Sequence, residues 1–160
     1  MAFDDLKHAQ KERLEYLDRL LFWDGAATRS SLVDRFGISN PQAALDFKMY
    51  LQAAGREALK YDASSKRYLA TERFSRLSGE ASTDELEELL GGRRGALYDM
   101  LPDLQRTQNV RVFRPLYRAV LANEAIEIVY QSMRDPEPET RWIAPLRFAS
   151  DGVRLHLRAW

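Results

Sequence analysis

The sequence of 160 residues contains no cysteine, which excludes disulfide bonds, thiolate catalysis and cysteine-ligated metal sites. Its only two histidines, His8 and His156, are too far apart in the chain to suggest a transition-metal site. No apolar run approaches the roughly 18 residues that a membrane helix requires. The start, MAFDDLKHAQ, is acidic and lacks the apolar core of a signal peptide. We therefore expect a cytoplasmic protein that uses no metal or other cofactor.

An excess of charge of either sign is also missing, since 24 Lys and Arg residues balance 24 Asp and Glu residues. Any basic surface must therefore come from the placement of the cations, and a single copy is expected to bind a polyanion weakly and in a salt-sensitive manner. Dimerisation is the usual way in which such a protein raises its affinity. The composition that is present, 45% hydrophobic and 30% charged, is typical of a globular protein with one or two small domains.

The stretch from residue 28 to 55 predicts two helices joined by one tight turn, a helix-turn-helix. Thr28 or Ser30 is placed to cap the first helix, which ends at Gly37. Ser39 is the expected cap of the second helix, and Gln42 three residues later completes a capping-box pattern. The apolar face of the second helix is predicted to consist of Ala43, Phe47, Tyr50, Leu51 and Ala54.

A hairpin is predicted directly after this motif, from the alternation in LKYD and RYLA on either side of the loop at residues 63–66. A hairpin in this position is a wing, and its basic tip suits phosphate or minor-groove contact. The outward side of the second helix would then enter a DNA major groove, where Asn or Gln can read adenine. The expected DNA-contacting residues are Arg29, Ser39, Asn40, Gln42, Ala44, Lys48, Ser65, Lys66 and Arg67. The alternative is an ordinary helical hairpin whose polar residues are only solvated, with Gln42 occupied by the cap.

Residues 4–22 form a predicted amphipathic helix with its leucines inward and its charged residues outward. Glu15 and Asp18 are among those expected to be solvated, and no basic or histidine partner at useful spacing suggests catalysis. Further along, Ser82 and Glu85 form a second capping-box pattern. The glycine cluster at residues 91–95 lacks the ending of a P-loop, so we interpret it as a flexible connection.

The last third predicts a second domain that begins with a short helix at residues 115–123, with Leu116, Val120 and Leu121 inward. Residues 125–130 and 140–143 have strand character, and Asp151-Gly152 predicts a hairpin turn. The clearest alternation follows this turn, and it places Arg154, His156 and Arg158 on one face. Such a basic row either lines an anion pocket, with Tyr130 and Ser132 nearby, or decorates an outer sheet face; the residues alone do not favour one over the other.

Five segments in this order resemble the WYL-domain transcriptional regulators with an N-terminal winged helix, the BrxR/CapW-type repressors found beside bacterial anti-phage systems such as BREX and CBASS. The resemblance spans nearly the whole chain. It is carried by RFGISNPQAALDFKMYLQ at 35–52, LKYDASSKRYLA at 59–70, IEIVYQSM at 126–133, RWIAPLRF at 141–148 and DGVRLHLRAW at 151–160.

This resemblance implies an α+β protein: a winged helix-turn-helix at residues 1–75, a helical linker at 76–113, and part of a small Sm-like β-barrel, the WYL domain, at 114–160. It also implies a homodimeric repressor of its own defence operon that binds an inverted-repeat operator in double-stranded DNA. The WYL domain would sense a nucleotide or nucleic-acid effector. Its implied pocket residues are Tyr130, Ser132, Arg141, His156 and Arg158.

The sequence departs from the family pattern at two places. The Trp-Tyr-Leu triplet that names the WYL domain reads Leu155-His156-Leu157, so the effector cannot be copied from other members. The chain also stops at Trp160, where members continue, so we expect a truncated WYL domain with an unclosed sheet edge. A protein-interaction or ligand-sensing module that docks through the winged helix is the alternative function. No catalytic constellation supports an enzyme.

Overall fold

The structure is a computed structural model that describes residues 3, 6–82, 85, 86, 89, 98, 99, 109–133, 137–150 and 155–160. The chain divides into two units, Met1–Ala81 and Ser82–Trp160. Within the part that the structure describes, no helix combines the length and the apolar character needed to cross a membrane.

Among its described residues, the first unit has three helices and a small antiparallel sheet. Its elements in chain order are α1 (His8–Trp23), β1 (Ala26–Ala27), α2 (Arg29–Phe36), α3 (Asn40–Ala54), β2 (Leu59–Asp62) and β3 (Arg67–Ala70). Strand β3 lies between β1 and β2 and pairs with both. The predicted helix-turn-helix and hairpin are confirmed. The two-residue strand β1 was not predicted, since it is too short for any alternation to show.

Local sequence signals explain how α2 and α3 begin and end. The Thr28 hydroxyl accepts a hydrogen bond from the Ser31 amide at 3.0 Å, and the Ser31 side chain completes the capping box. Gly37 ends α2 in the left-handed conformation at φ 64°, which a residue with a Cβ rarely adopts. The Ser39 hydroxyl accepts from the Gln42 amide at 3.3 Å and caps α3. Helix α3 therefore starts three residues after the turn glycine.

The core of the first unit lies where α1, α2 and α3 face one another. It contains the inward leucines of α1, Leu32 of α2, and most of the predicted apolar face of α3. Burial of this surface supplies the main stabilisation of the unit. The buried apolar side chains of the described residues in this unit are Phe3, Leu14, Leu17, Leu20, Leu21, Trp23, Ala26, Ala27, Leu32, Ala43, Phe47, Tyr50, Ala58 and Leu59.

Asp18 contradicts the sequence-based expectation, because it is fully buried instead of solvated. Its carboxylate accepts hydrogen bonds from the Tyr50 hydroxyl at 2.5 Å and from the backbone amides of Leu77 and Ser78, each at 3.0 Å. The Ser78 hydroxyl also donates to it, and Arg76 lies 3.5 Å away. This cluster, the Asp18 network, satisfies a charge that would otherwise be costly to bury. Asp18 joins α1 to α3 and to the segment that follows the wing.

The described part of the second unit includes one long helix and two small sheets. Its elements are β4 (Tyr98–Asp99), α4 (Val110–Ala122), β5 (Ile126–Tyr130), β6 (Glu139–Ile143), β7 (Pro145–Ser150) and β8 (Leu155–Ala159). Strand β7 lies between β4, which is parallel to it, and β8, which is antiparallel to it. Strands β5 and β6 form a separate antiparallel pair. The mixed α+β class is confirmed, whereas the predicted Asp151-Gly152 turn, Arg154 and the glycine cluster at 91–95 lie outside the described residues.

Helix α4 differs from the prediction in both length and orientation. It begins at Val110, five residues before the predicted start, so the expected boundary at residues 113 and 114 falls inside it. Phe113 and Tyr117 are its buried large side chains, and Leu121, for which an inward position is predicted, is exposed. The Phe113 ring lies 4.8 Å from the Phe148 ring of β7. An apolar stripe that is assumed to start at Pro115 leaves out Phe113. The position of Phe113 determines which face of α4 is buried.

Candidate nucleic-acid interface

The buried face of α3 determines which of its side chains point outward. Ala43, Phe47 and Tyr50 are each at most 1% exposed, so the opposite side of the helix is the solvent side. Asn40 and Lys48 are exposed there. Ala44 and Gln42 are half-buried, and Ser39 is exposed at the cap. The N-terminal half of α3 therefore presents polar side chains beside one large apolar residue, Leu45, which is 54% exposed.

Gln42 is held by a buried ion pair that the sequence analysis missed. Asp46, one turn further along α3, is fully buried and accepts hydrogen bonds from Arg13 Nε at 2.6 Å and Arg13 Nη2 at 3.2 Å. The Arg13 side chain is largely buried, although the sequence places it in solvent. Gln42 Nε2 donates to the same carboxylate at 3.1 Å. The Gln42 side chain is thus occupied by Asp46, and it does not complete the predicted capping box.

This contact fixes the orientation of the Gln42 amide. A carboxylate only accepts hydrogen bonds, so the amide nitrogen, and not the oxygen, must face Asp46. One N–H of the amide is used in this way. The carbonyl oxygen and the second N–H remain for another partner, and these are the two groups that a bidentate contact to adenine requires.

The wing tip is organised by the carboxylate of Asp62. This carboxylate accepts from the Ser64 amide at 3.0 Å, the Ser64 hydroxyl at 2.7 Å and the Ser65 hydroxyl at 2.6 Å. The hydrogen bonds from Ser65 and Ser64 lower the pKa of Asp62 to about 2. Lys66 follows in the left-handed region at φ 55° and is exposed. The tip therefore has a defined shape, and the Ser65 hydroxyl already donates its proton to Asp62.

An open groove of about 420 Å³ lies between the start of α2, the start of α3 and the wing. We call it the wing groove. It brings together four of the predicted DNA-contacting residues, Arg29, Asn40, Ser65 and Lys66. The other predicted residues lie outside its lining, and Arg67 is on the opposite face of the hairpin from Tyr68 because successive strand residues alternate. Its complete described lining is Thr28, Arg29, Ser30, Asn40, Tyr61, Ser65, Lys66 and Tyr68.

Two tyrosines, Tyr61 and Tyr68, line the wing groove but are not among the residues that the sequence analysis singled out. Tyr61 and Tyr68 are directly opposite each other on β2 and β3, with ring centroids 4.8 Å apart. The Tyr68 ring stacks on the buried Phe47 ring at 4.2 Å. The Tyr68 hydroxyl accepts a hydrogen bond from Arg29 at 3.4 Å, which raises the pKa of Arg29 and favours its charged form. The alternation of the two strands could have revealed this position, because it places both tyrosines on the same side of the hairpin, the side that faces α3.

The predicted effector residues of the second unit fall on two different strand pairs. On β5 and β6, the Arg141 guanidinium lies 4.0 Å from the centroid of the Tyr130 ring and 3.3 Å from Glu139. Ser132 follows β5 and is half-buried. On β8, His156 and Arg158 are both exposed on one face, as the alternation predicts. The structure thus brings Tyr130 together with Arg141, and His156 together with Arg158.

A second cavity, of about 270 Å³, lies between α4 and the β7–β8 pair and is mainly apolar. His156 and Asn109 are its polar lining residues, beside Phe113 and Phe148. The other four predicted effector residues, all of which the structure describes, lie outside its lining. No group of three or more potential metal ligands occurs among the described residues.

Comparison with known proteins assigns a class to both units. The sequence model of the BrxR transcriptional regulator winged helix-turn-helix domain matches residues 9–91, and that of the WYL domain matches residues 111–160. The fold of the first unit is that of a winged-helix protein, and the family match assigns residues 111–160 to a WYL domain. The chain belongs to the BrxR family of transcriptional regulators, as its resemblance to them predicted.

Several curated relatives are named DNA-binding transcriptional repressor CapW. The chain is 38% identical to the one from Escherichia coli strain KTE188, over 94% of this chain and 54% of the relative. It is 37% identical to the one from Pseudomonas aeruginosa, with the same coverage, and 34% identical to the one from Stenotrophomonas maltophilia, over 97% of this chain and 56% of the relative. The chain thus spans about half the length of the curated relatives it matches.

Proposed function

We propose that this chain is a sequence-specific DNA-binding repressor that reads the major groove of double-stranded DNA with the N-terminal half of α3. The observation that carries this proposal is the outward face of α3, where Asn40 and Lys48 are exposed and Gln42 is oriented by Asp46. Family membership supports it, because the relatives are named as DNA-binding transcriptional repressors. The regulated genes would be a phage-defence operon that includes its own gene.

The wing is proposed to add contacts to the DNA backbone through Lys66 and Arg29. Arg67 and Ser65, with Ser39 and Ala44 on the helix side, complete the proposed interface. Since the protein has no net positive charge, a single copy would bind weakly. A homodimer on an inverted repeat would join two such contacts and raise the affinity.

The second unit is proposed to sense a nucleotide or nucleic-acid effector. Arg141 against the Tyr130 ring provides a flat cationic surface, and Arg158 provides a second cation beside the His156 imidazole on β8. Ser132 would contribute a hydroxyl. A panel of mononucleotides and short oligonucleotides, screened by calorimetry, tests this role. Binding that is lost in Arg141→Ala supports it, and the absence of any heat with every anion in the panel contradicts it.

A gel-shift titration tests the repressor proposal directly. The probe is duplex DNA from upstream of the chain's own gene, and the competitor is the same duplex with its sequence scrambled. We expect a shift that survives the scrambled competitor at moderate salt, and a complex whose mass corresponds to two chains. Equal affinity for both duplexes would contradict the proposal. Capture of a protein partner that persists after nuclease treatment would then favour the docking module instead.

A further inference from the structure

The side of α3 that lies directly opposite the core carries an apolar side chain that hydrogen bonding to bases does not explain. An α-helix turns by about 100° per residue, so residues 41, 45, 48 and 52 lie in one line along it. All four are exposed, whereas Ala43, Phe47 and Tyr50 on the other side are buried. We call this line the outer ridge of α3. Its residues are Pro41, Leu45, Lys48 and Gln52.

Leu45 is the long apolar side chain of the outer ridge, and it is 54% exposed. Among the described residues of the first unit, Tyr61 is the only other large apolar side chain that is exposed. A single exposed leucine is common on a protein surface, so exposure alone indicates nothing. The position of Leu45 is what distinguishes it, because it lies one helical turn from both Gln42 and Lys48. Leu45 therefore stands at the middle of the proposed reading end of α3.

The floor of the DNA major groove offers one apolar group to such a side chain, the C5 methyl of thymine. The other three bases present only hydrogen-bond donors and acceptors there. Packing of Leu45 on a methyl removes apolar surface from water on both sides of the contact. A polar base edge covered by Leu45 would instead lose hydrogen bonds to water without gaining any. The outer ridge is therefore complementary to thymine and to no other unmodified base.

We propose that Leu45 is a specificity-determining residue that packs on the C5 methyl of a thymine and thereby selects thymine at one position of the bound duplex. This inference rests on the proposed DNA-binding function and adds to it the chemical group that one side chain reads. Leu45 differs in kind from Gln42, since it makes no hydrogen bond to a base. A cytosine methylated at C5 carries the same methyl at the same place, so it should be preferred over cytosine at that position.

Uracil lacks only the C5 methyl of thymine, so replacing the thymines of the upstream duplex by uracil, one at a time, tests this contact and leaves every hydrogen-bonding group in place. Loss of one buried methyl should weaken wild-type binding about fourfold at the position that Leu45 reads. Leu45→Ala should bind the thymine and uracil duplexes alike at that position. Leu45→Met keeps a long apolar side chain and should retain the dependence. The comparison is a double-mutant cycle between Leu45 and the methyl.

Methylated cytosine gives a second test, in which the methyl is added instead of removed. Cytosine at the sensitive position should weaken wild-type binding, and 5-methylcytosine there should restore about fourfold in the wild type and nothing in Leu45→Ala. Leu121→Ala is the matched control, because it removes a leucine that is 38% exposed from the last turn of α4. It should respond to both bases as the wild type does. Leu45→Ala should unfold at the wild-type urea concentration, since Leu45 is exposed and alanine favours a helix.

The outcomes separate this inference from the function on which it rests. A wild-type chain that does not prefer the upstream duplex over its scrambled version contradicts the repressor proposal, and methyl reading with it. A wild-type chain that has this preference, but that no uracil weakens or that shares its uracil effect with Leu45→Ala, contradicts methyl reading alone. A free Leu45→Ala chain with half the wild-type solution mass also overturns it, because Leu45 would then join two copies. A uracil effect that is lost in Leu45→Ala and kept in Leu45→Met and Leu121→Ala supports it.

Discussion

At the residue level, Gln42 is the side chain of the proposed interface whose role depends most on a neighbour. Asp46 binds one amide N–H and is itself held by Arg13 from α1. The orientation of the amide is therefore settled before any DNA arrives, which lowers the entropy lost on binding. A buried ion pair of this kind is better explained by the geometry it fixes than by a gain in stability.

Replacing Gln42 by Ala is expected to cost about 1 to 3 kcal/mol on the preferred duplex and to relax the preference at one base pair. Gln52→Ala is the matched control, since Gln52 is exposed near the other end of the same helix. Competition binding with single-base variants of the duplex measures both the loss of affinity and the relaxed preference at one base pair. Equal behaviour of the two variants would exclude Gln42 from base reading.

Asp62 gives a prediction about pH. Its pKa is lowered to about 2 in the folded protein by the Ser65 and Ser64 hydrogen bonds, against about 3.9 for an ordinary Asp. A lowered folded pKa means that this contribution to stability is fully present above about pH 4 and is lost as the pH falls through about 2. The wing tip should therefore keep its shape at every physiological pH.

An NMR titration of the Asp62 carboxyl carbon checks this expectation. The midpoint should lie near 2 in the wild type and should rise towards the ordinary value when Ser64 and Ser65 are both replaced by Ala. A wild-type midpoint at the ordinary value would mean that the hydrogen bonds at the tip do not form in solution.

At the level of elements, the Asp18 network connects pieces that are distant in sequence. Asp18 on α1 accepts from Tyr50 on α3 and from the backbone of Leu77 and Ser78 after the wing. Burial, together with the negative charge of Asp18, raises the pKa of Tyr50, so its hydroxyl stays protonated and donates. The position of α3 in the first unit is thus tied to the segment that leads out of the wing.

Asp18→Ala should lower the free energy of unfolding of the first unit by about 3 kcal/mol, because it leaves several buried donors without an acceptor. Tyr50→Phe removes one donor only and should cost about 1 kcal/mol. Tryptophan fluorescence in urea reports mainly on this unit, because Trp23 is fully buried while Trp142 and Trp160 are 68% and 87% exposed.

The control for Asp18→Ala is Asp34→Ala, an exposed aspartate on α2, which should stay within about 0.5 kcal/mol of the wild type. If the Asp18 and Asp34 variants unfolded at the same urea concentration, the network would contribute nothing to stability.

The elements that the sequence predicted well are those with strong local signals. Gly37, Ser39 and the alternation of the wing define the helix-turn-helix and the hairpin, because caps, turns and alternation depend on neighbours in the chain. Asp18 and Asp46 were missed because Tyr50, which donates to Asp18, and Arg13, which pairs with Asp46, are 32 and 33 residues away from them in the chain. Each aspartate lies within the apolar stripe of its helix. A charged residue in such a stripe is the feature of the sequence that could have indicated a buried, paired carboxylate. The prediction for α4 is too short because it starts the helix at Pro115, although the structure has this proline inside the helix.

At the level of the whole molecule, zero net charge and a DNA-binding role are compatible because placement, and not excess, determines the surface potential. The wing groove gathers Arg29 and Lys66 without an acid in its described lining. Two acidic side chains, Asp18 and Asp46, are buried inside the first unit, where hydrogen bonds engage their charges. Binding should therefore be weak for one copy, steep in its salt dependence and stronger for a dimer on two half-sites.

The most direct test of sequence reading by α3 is the selection of duplexes from a random-sequence library by the purified chain. We expect the wild type and Gln52→Ala to enrich one common motif, and Gln42→Ala to enrich the same motif with one position relaxed, because Gln42, unlike Gln52, lies at the proposed reading end of the helix. Enrichment of no motif by the wild type, under conditions where the protein still retains DNA, would contradict base reading by α3.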